Sequence, residues 1–140
     1  MRVEASTTIA RPVADVWELY AVNHVENHPR WDETIELEAT SDAPIGVGTV
    51  IKRRVNRFGN VTEGTMEVIE FEPGAVMRVR IQDGAMSIDG FASFQAMGDE
   101  ETELTIGGEI PGIDESIAEQ IRTMMRGSVA NIKALIEAET

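Results

Sequence analysis

From Gly48 to Ile110 the chain is cut at short intervals by turn-forming residues: Gly59-Asn60, Pro73-Gly74, Asp83-Gly84 and a looser "MGDEE". Turns of these types join antiparallel neighbours, so this half of the chain reads as a β-meander. Each turn also fixes which residues stand opposite one another, and a one-residue slip would reverse every side chain. With Gly59-Asn60 central, Phe58 pairs with Val61, Val55 with Gly64, Arg53 with Met66, Lys52 with Glu67 and Ile51 with Val68. With Pro73-Gly74 central, Glu67 stands opposite Arg80, Val68 opposite Val79 and Met66 opposite Ile81. With Asp83-Gly84 central, Arg78 faces Asp89, Val79 faces Ile88 and Ile81 faces Met86. The three turns agree on one charged face and one apolar face. Lys52, Glu67, Arg78, Arg80 and Asp89 make a cross-strand ladder on the outside. Exposed pairs of that kind contribute roughly 0.2–1 kcal/mol each, so the ladder is a solvated surface.

The flanking segments complete an α+β pattern. "VEASTTIA" alternates as a first strand, with Val3, Ala5, Thr7 and Ile9 on one side. Pro12 suits the first turn of a short helix carrying Val13, Val16, Trp17 and Tyr20 at helical spacing. "NHVENHPRW" reads as a second helical turn or loop interrupted at Pro29, after which Trp31, Ile35 and Leu37 alternate as a half-buried strand. Asp114 caps a long closing helix whose stripe is Ile117, Ile121, Met124, Ser128, Ile132 and Leu135.

Composition limits what such a chain can do. The 140 residues suit a single domain, 1–140, large enough for a real core. There is no cysteine, which removes disulfide and thiolate chemistry. Acidic residues outnumber basic ones 25 to 12, a net charge of −13 that argues against nucleic acid or an anionic membrane as partner. "MRVEASTTIA" alternates instead of forming a signal core, and no apolar run spans a bilayer. The expectation is a soluble, cytoplasmic protein without membrane insertion, a monomer or weak dimer.

Against that acidic background, Arg53 stands out. The turn registers place it on the inner face, between Ile51 and Val55. Arg57 shares its parity but lies beside a turn, where its head can reach water. Gly64, Gly90 and Gly108 fall on the same inner face, and pairing Phe94 with Leu104 sets Gly90 beside Gly108. Glycine in strand interiors marks a bend or a close approach. Met66, Met86 and Phe94 from the sheet and Met124, Met125 and Ser128 from the last helix would surround these gaps with adaptable apolar groups. This pattern suits a pliable cavity and suits equally a filled core onto which the helix packs closely.

Other candidates are fewer. His24 and His28 are four apart, which could juxtapose two imidazoles on a helix, although their spacing is not that of a zinc protease. No metal or other cofactor is expected, and a surface or capping role fits both histidines. His28 is a weak candidate base at a cavity mouth. A bulge at "EFEPG" would turn Phe71 inward and Glu70 outward. Gly107-Gly108 lies within a strand and cannot form a phosphate loop, Ser87 and Ser93 point outward, and no His-Asp pair is placed to activate Ser128. Trp17 and Tyr20 would pack the short helix on the sheet edge, with Trp31 near the cavity entrance.

The order of "IARPVADVWELY", "HPRWDETIELE", "GVGTVIKRRV", "MEVIEFEPGAVMRVRI" and a long amphipathic C-terminal helix resembles the START-like, helix-grip (SRPBCC) superfamily, in its bacterial polyketide cyclase/dehydrase-like branch. The resemblance covers essentially the whole chain. It implies a curved antiparallel sheet of about seven strands wrapped on the C-terminal helix, two short helices after the first strand, and an apolar cavity between sheet and helix. Fold does not choose among the activities of such a superfamily, which range over lipid and hormone binding, polyketide ring closure and partner binding. The expectation is a binder of a small hydrophobic molecule, a lipid, aromatic or polyketide-like metabolite. Its site would comprise Trp31, Ile51, Arg53, Val55, Met66, Ile81, Met86, Ile88, Gly90, Phe94, Met124, Met125 and Ser128, with Arg53 as polar anchor. The alternatives are a cyclase or dehydratase-type enzyme using Arg53 and His28, and an acidic protein-interaction module.

Overall fold

The computed structural model describes residues 1–57 and 59–140. Seven strands form one antiparallel sheet: β1 (Arg2–Ile9), β2 (Ile35–Ala39), β3 (Val50–Arg57), β4 (Asn60–Glu72), β5 (Val76–Asp83), β6 (Met86–Gly98) and β7 (Glu101–Glu109). Spatially they run β1-β7-β6-β5-β4-β3-β2, so β3 to β7 are a plain meander with β1 on one edge and the short β2 on the other. Between β1 and β2 lie α1 (Val13–Trp17), a π-helical turn (Glu18–Val22) and α2 (His24–Trp31). The chain ends in α3 (Glu115–Glu139), capped by Asp114, whose carboxylate accepts the Ile117 N–H at 2.9 Å.

The apolar face read from the turns is the buried one, with Ile51, Val55, Met66, Val68 and Val79 all enclosed. Two of the three registers differ by two residues from those read from the sequence. Arg57 pairs with Asn60, so Arg53 stands opposite Gly64, Ile51 opposite Met66 and Lys52 opposite Thr65, while Val61 lies opposite Asn56. The pairing expected of Phe58 falls outside the described residues. Asp83 pairs with Met86, putting Ile81 opposite Ile88, Val79 opposite Gly90 and Arg80 opposite Asp89. A two-residue shift keeps every side chain on its face. The middle hairpin has the register expected, Glu67 to Arg80 and Val68 to Val79, up to a bulge between Val68 and Glu70. That bulge sends Glu70 out to Arg78, 2.9 Å away, and Phe71 in against Trp17. Arg78 therefore pairs with Glu70 and stands opposite Phe91, not Asp89.

Helix α2 is continuous where a break at Pro29 was expected, and it extends through Trp31, which is not part of a strand. Proline removes one backbone donor, and in an eight-residue helix packed on both neighbours that loss is tolerated. Asn131 of α3 donates to the Trp31 carbonyl at 3.1 Å, and Arg30 pairs with Glu139, tying α2 to the last helix. Lys133 reaches the Thr8 carbonyl at 2.7 Å and holds α3 to β1. The main core gathers Trp17, Leu19 and Ala21, the inner residues of β3 to β7, and Ile132 and Ile136 of α3. A second small cluster, Val3, Ile110 and Ala118, fixes the start of α3. Between these two packed zones α3 stands off the sheet.

Candidate functional site

The gap is a cavity of about 470 Å³, partly open to solvent, bounded by the inner face of the sheet, α2 and the first half of α3. That size suits a drug-sized molecule. Gly90 and Gly108 lie side by side on its floor. A side chain at Gly90 would start 3.2 Å from Val79 and 3.6 Å from Ile81, so its absence is what hollows the middle of the sheet. Val55, Met66, Ile81, Met86 and Ile88 line the sheet side, and Met124, Met125 and Ser128 the helix side. Met86 and Ile117 are exposed large apolar groups that also line the cavity, which gives the opening a greasy rim. Trp31 lines it from the end of α2. Of the residues singled out from the sequence, Ile51 and Phe94 do not reach it. Ile51 is sealed in the core, and Phe94 is spent against Trp17 and Tyr20, at centroid distances of 5.1 and 5.6 Å.

One end of the cavity is polar. Arg53 points inward from β3, is only 5% exposed, and its Nε lies 2.9 Å from Asp83 Oδ1. The two atoms are sealed from solvent yet are not aligned as a hydrogen bond, so the contact is held by charge. Gly64, opposite Arg53, makes room for the Asp83 side of the pair: a Cβ there would lie 2.0 Å from the Gln82 carbonyl oxygen and 2.5 Å from Asp83 Oδ1. The terminal nitrogens of Arg53 are not sealed and donate no hydrogen bond among the described residues. Burial pulls the guanidinium below its ordinary value and the Asp83 carboxylate partly restores it. An arginine stays charged through such a shift.

Beside it, Arg57 is partly exposed but does not simply project into water as its position near the turn suggested. It donates to Asp32 Oδ2 at 2.6 Å and from Nε to Thr34 Oγ1 at 3.1 Å, and both Arg57 and Asp32 line the cavity. Burial pushes the Asp32 carboxyl up, but the Thr34 hydrogen bonds and the Arg57 charge outweigh it and hold it below the usual range.

The two histidines are a further departure from the sequence reading, which favoured a surface or capping role for both and kept His28 as a weak candidate at the cavity mouth. His24 is 3% exposed and His28 half-buried, and both line the cavity. The π-helical turn and the irregular Asn23 that follows leave the Tyr20 carbonyl 2.8 Å from His24 Nδ1. His24 Nε2 is 2.9 Å from His28 Nδ1. Trp31 stacks on Tyr20 at 5.0 Å and on His28 at 5.1 Å, which locks the rings. Burial lowers the His24 imidazole to about 4. It also holds His28 well below its ordinary value, helped by His24, Arg53 and Arg57 nearby. Both are neutral under physiological conditions. Among the described residues no group of three or more acidic or histidine side chains could hold a metal ion. Asp32, Arg57, Asp83, Tyr20 and His24 also line the cavity and were not among the lining residues expected from the sequence.

A curved antiparallel sheet gripping a long C-terminal helix over an apolar cavity defines the helix-grip, START-like class. Within it, this chain belongs to the polyketide cyclase/dehydrase and lipid transport family, whose model matches residues 1–137. A START superfamily protein from Mycobacterium smegmatis is similar over 99% of both chains, with a TM-score of 0.80 at 13% identity. TTHA0849 from Thermus thermophilus gives 0.80 at 14% identity over 100% of this chain and 99% of its own. The ZhuI aromatase/cyclase from Streptomyces sp. R1128 gives 0.73 at 17% identity over 98% and 93%. At such identities the likeness is one of fold. No curated protein sequence matches significantly. Among the described residues no helix is long and apolar enough to cross a membrane.

Proposed function

We propose that the protein binds a small, mainly apolar molecule bearing a carboxylate or carbonyl oxygen, with that oxygen seated on Arg53 and the hydrocarbon body lying between the glycine floor and Met124 and Met125. The observation that carries this reading is the pair of unbonded Arg53 terminal nitrogens facing an otherwise largely apolar cavity. A guanidinium is a fork of fixed donors, and a charge so placed gains most from a planar oxygen pair. Native mass spectrometry on protein purified from its own host should reveal a bound molecule. Replacing Arg53 by Met should weaken naphthoate-like carboxylates by at least tenfold and neutral ring analogues by much less. Equal losses would remove the anchor, and no binding of either class by the unaltered protein would remove the cavity as a binding site.

A second reading, an enzyme of the cyclase or dehydratase type, has one observation in its favour: a neutral imidazole, His28, shares the cavity with Arg53. A neutral base beside a cation that can stabilise an enolate oxygen is the pairing that proton abstraction next to a carbonyl requires. Turnover of a poly-β-ketone or hydroxy-ketone, falling by orders of magnitude in both Arg53→Met and His28→Phe, would establish it.

A further inference from the structure

The histidine pair on α2 plays no part in holding an anion, yet its hydrogen bonds leave no freedom in where its protons sit. The Tyr20 carbonyl can only accept, so His24 Nδ1, 2.8 Å away, carries a proton. His24 is neutral, so its Nε2 is a bare lone pair. His28 Nδ1 faces that lone pair at 2.9 Å and must therefore donate. In a neutral His28 the remaining nitrogen, Nε2, is bare in turn. It makes no hydrogen bond among the described residues and is not sealed in protein. The ring is held against Trp31 at an interplanar angle of 23°, so this lone pair has a fixed direction. The charges that bear on it are Arg53 and Arg57 of β3, each paired with a carboxylate that also lines the cavity, Asp83 and Asp32, beside neutral His24 on its own helix. They oppose protonation of the ring.

We infer that His28 Nε2 is a built hydrogen-bond acceptor in the cavity wall, and that the site selects a ligand with a hydroxyl group, a phenol or an enol, on its apolar body. Because it names a second feature of the same ligand, the inference rests on the cavity being a binding site. His28 would touch the ligand. His24 would be a positioning residue, acting by dictating which nitrogen of His28 carries the proton. An aliphatic acid would satisfy Arg53 and leave this acceptor unpaired, whereas a hydroxylated ring or enol would satisfy both.

Two measurements test it. Long-range ¹⁵N–¹H NMR of the imidazoles near neutral pH should find both histidines protonated on Nδ1, the form that free imidazole disfavours. A proton on His28 Nε2 overturns the proposal without any ligand. His24→Leu should return His28 to a mixture of the two forms. Calorimetric titration then compares 2-naphthol with its methyl ether, a neutral pair that takes Arg53 largely out of the comparison. The phenol should bind about tenfold more tightly, and in His28→Phe the phenol and the ether should bind equally. If both bind equally, or the preference survives in His28→Phe, the acceptor is refuted while the cavity stands. If neither binds at millimolar concentration, the binding cavity fails and the inference with it. Should His28→Phe not fold, the NMR result on the unaltered protein still decides.

Discussion

A buried arginine is an unusual thing for a sheet interior to hold, and its partner explains how it is tolerated. Asp83 neutralises it at 2.9 Å, but without the aligned hydrogen bond that makes such pairs strong. Asp83 is thus an internal counter-ion, one whose place a ligand carboxylate could take. Breaking a buried pair by removing one charge leaves the other uncompensated, a cost on the order of 3 kcal/mol. Asp83→Asn should therefore lower the urea-unfolding stability of the empty protein by about that amount. It should also tighten carboxylate ligands severalfold, and saturating ligand should recover part of the lost stability. If stability falls and the carboxylate binds no better, Asp83 is a structural partner and not a stand-in for a ligand anion.

At the level of elements, the sequence carried more about facing than about pairing. Alternation of Ile51, Arg53 and Val55 fixed which way Arg53 points, because that depends only on parity. It could not distinguish registers two residues apart, since both bury the same side chains. Gly59 and Gly84 take the positive φ expected of hairpin turns, 77° and 59°, but Arg57 pairs with Asn60 and Asp83 with Met86, so each turn lies one residue from where it was centred. That small error hid Asp83 as a turn residue when it is the last inward residue of β5. Asp32, Arg57 and the histidine relay were hidden for another reason: they come together through an irregular π-helical turn and a helix containing proline, neither of which has a periodicity to read. The glycines were legible as a group, but their individual roles are set by neighbours. A Cβ at Gly107 would lie 2.7 Å from the Val3 backbone oxygen and from the Phe91 ring, whereas at Gly90 the nearest atom is a side-chain methyl at 3.2 Å. Gly90→Ala should thus cost less than about 1 kcal/mol while shrinking the cavity, and exclude the bulkiest ligands first. Gly107→Ala should cost roughly 1–3 kcal/mol in thermal or urea unfolding. Equal costs would mean that the floor of the cavity is not free space.

For the molecule as a whole, acidification sets two effects against each other. With a net charge of −13, taking up protons relieves self-repulsion and favours the compact state. The buried imidazoles act in the opposite sense. Their folded values lie below the 6.5 of an exposed histidine, about 4 for His24 and well below 6.5 for His28. Between those limits the unfolded chain binds more protons than the folded one, so stability is complete above about pH 6.5 and is lost as pH falls toward 4. Each histidine contributes a slope of up to roughly 1.4 kcal/mol per pH unit. The two effects separate because ordinary carboxylates titrate near pH 4, so between about pH 7 and 5.5 the side chains that change charge are the two histidines of the unfolded chain. Asp32, held below the usual carboxylate range, adds its own loss only at the acid end, as pH falls through its depressed folded value. The urea midpoint should therefore fall as the pH is lowered from about 7 to 5.5, and His28→Phe should remove about half of that slope. A midpoint that rises over the same interval would mean that the imidazoles protonate in place, and His28 could then be neither a neutral base nor a hydrogen-bond acceptor for a ligand.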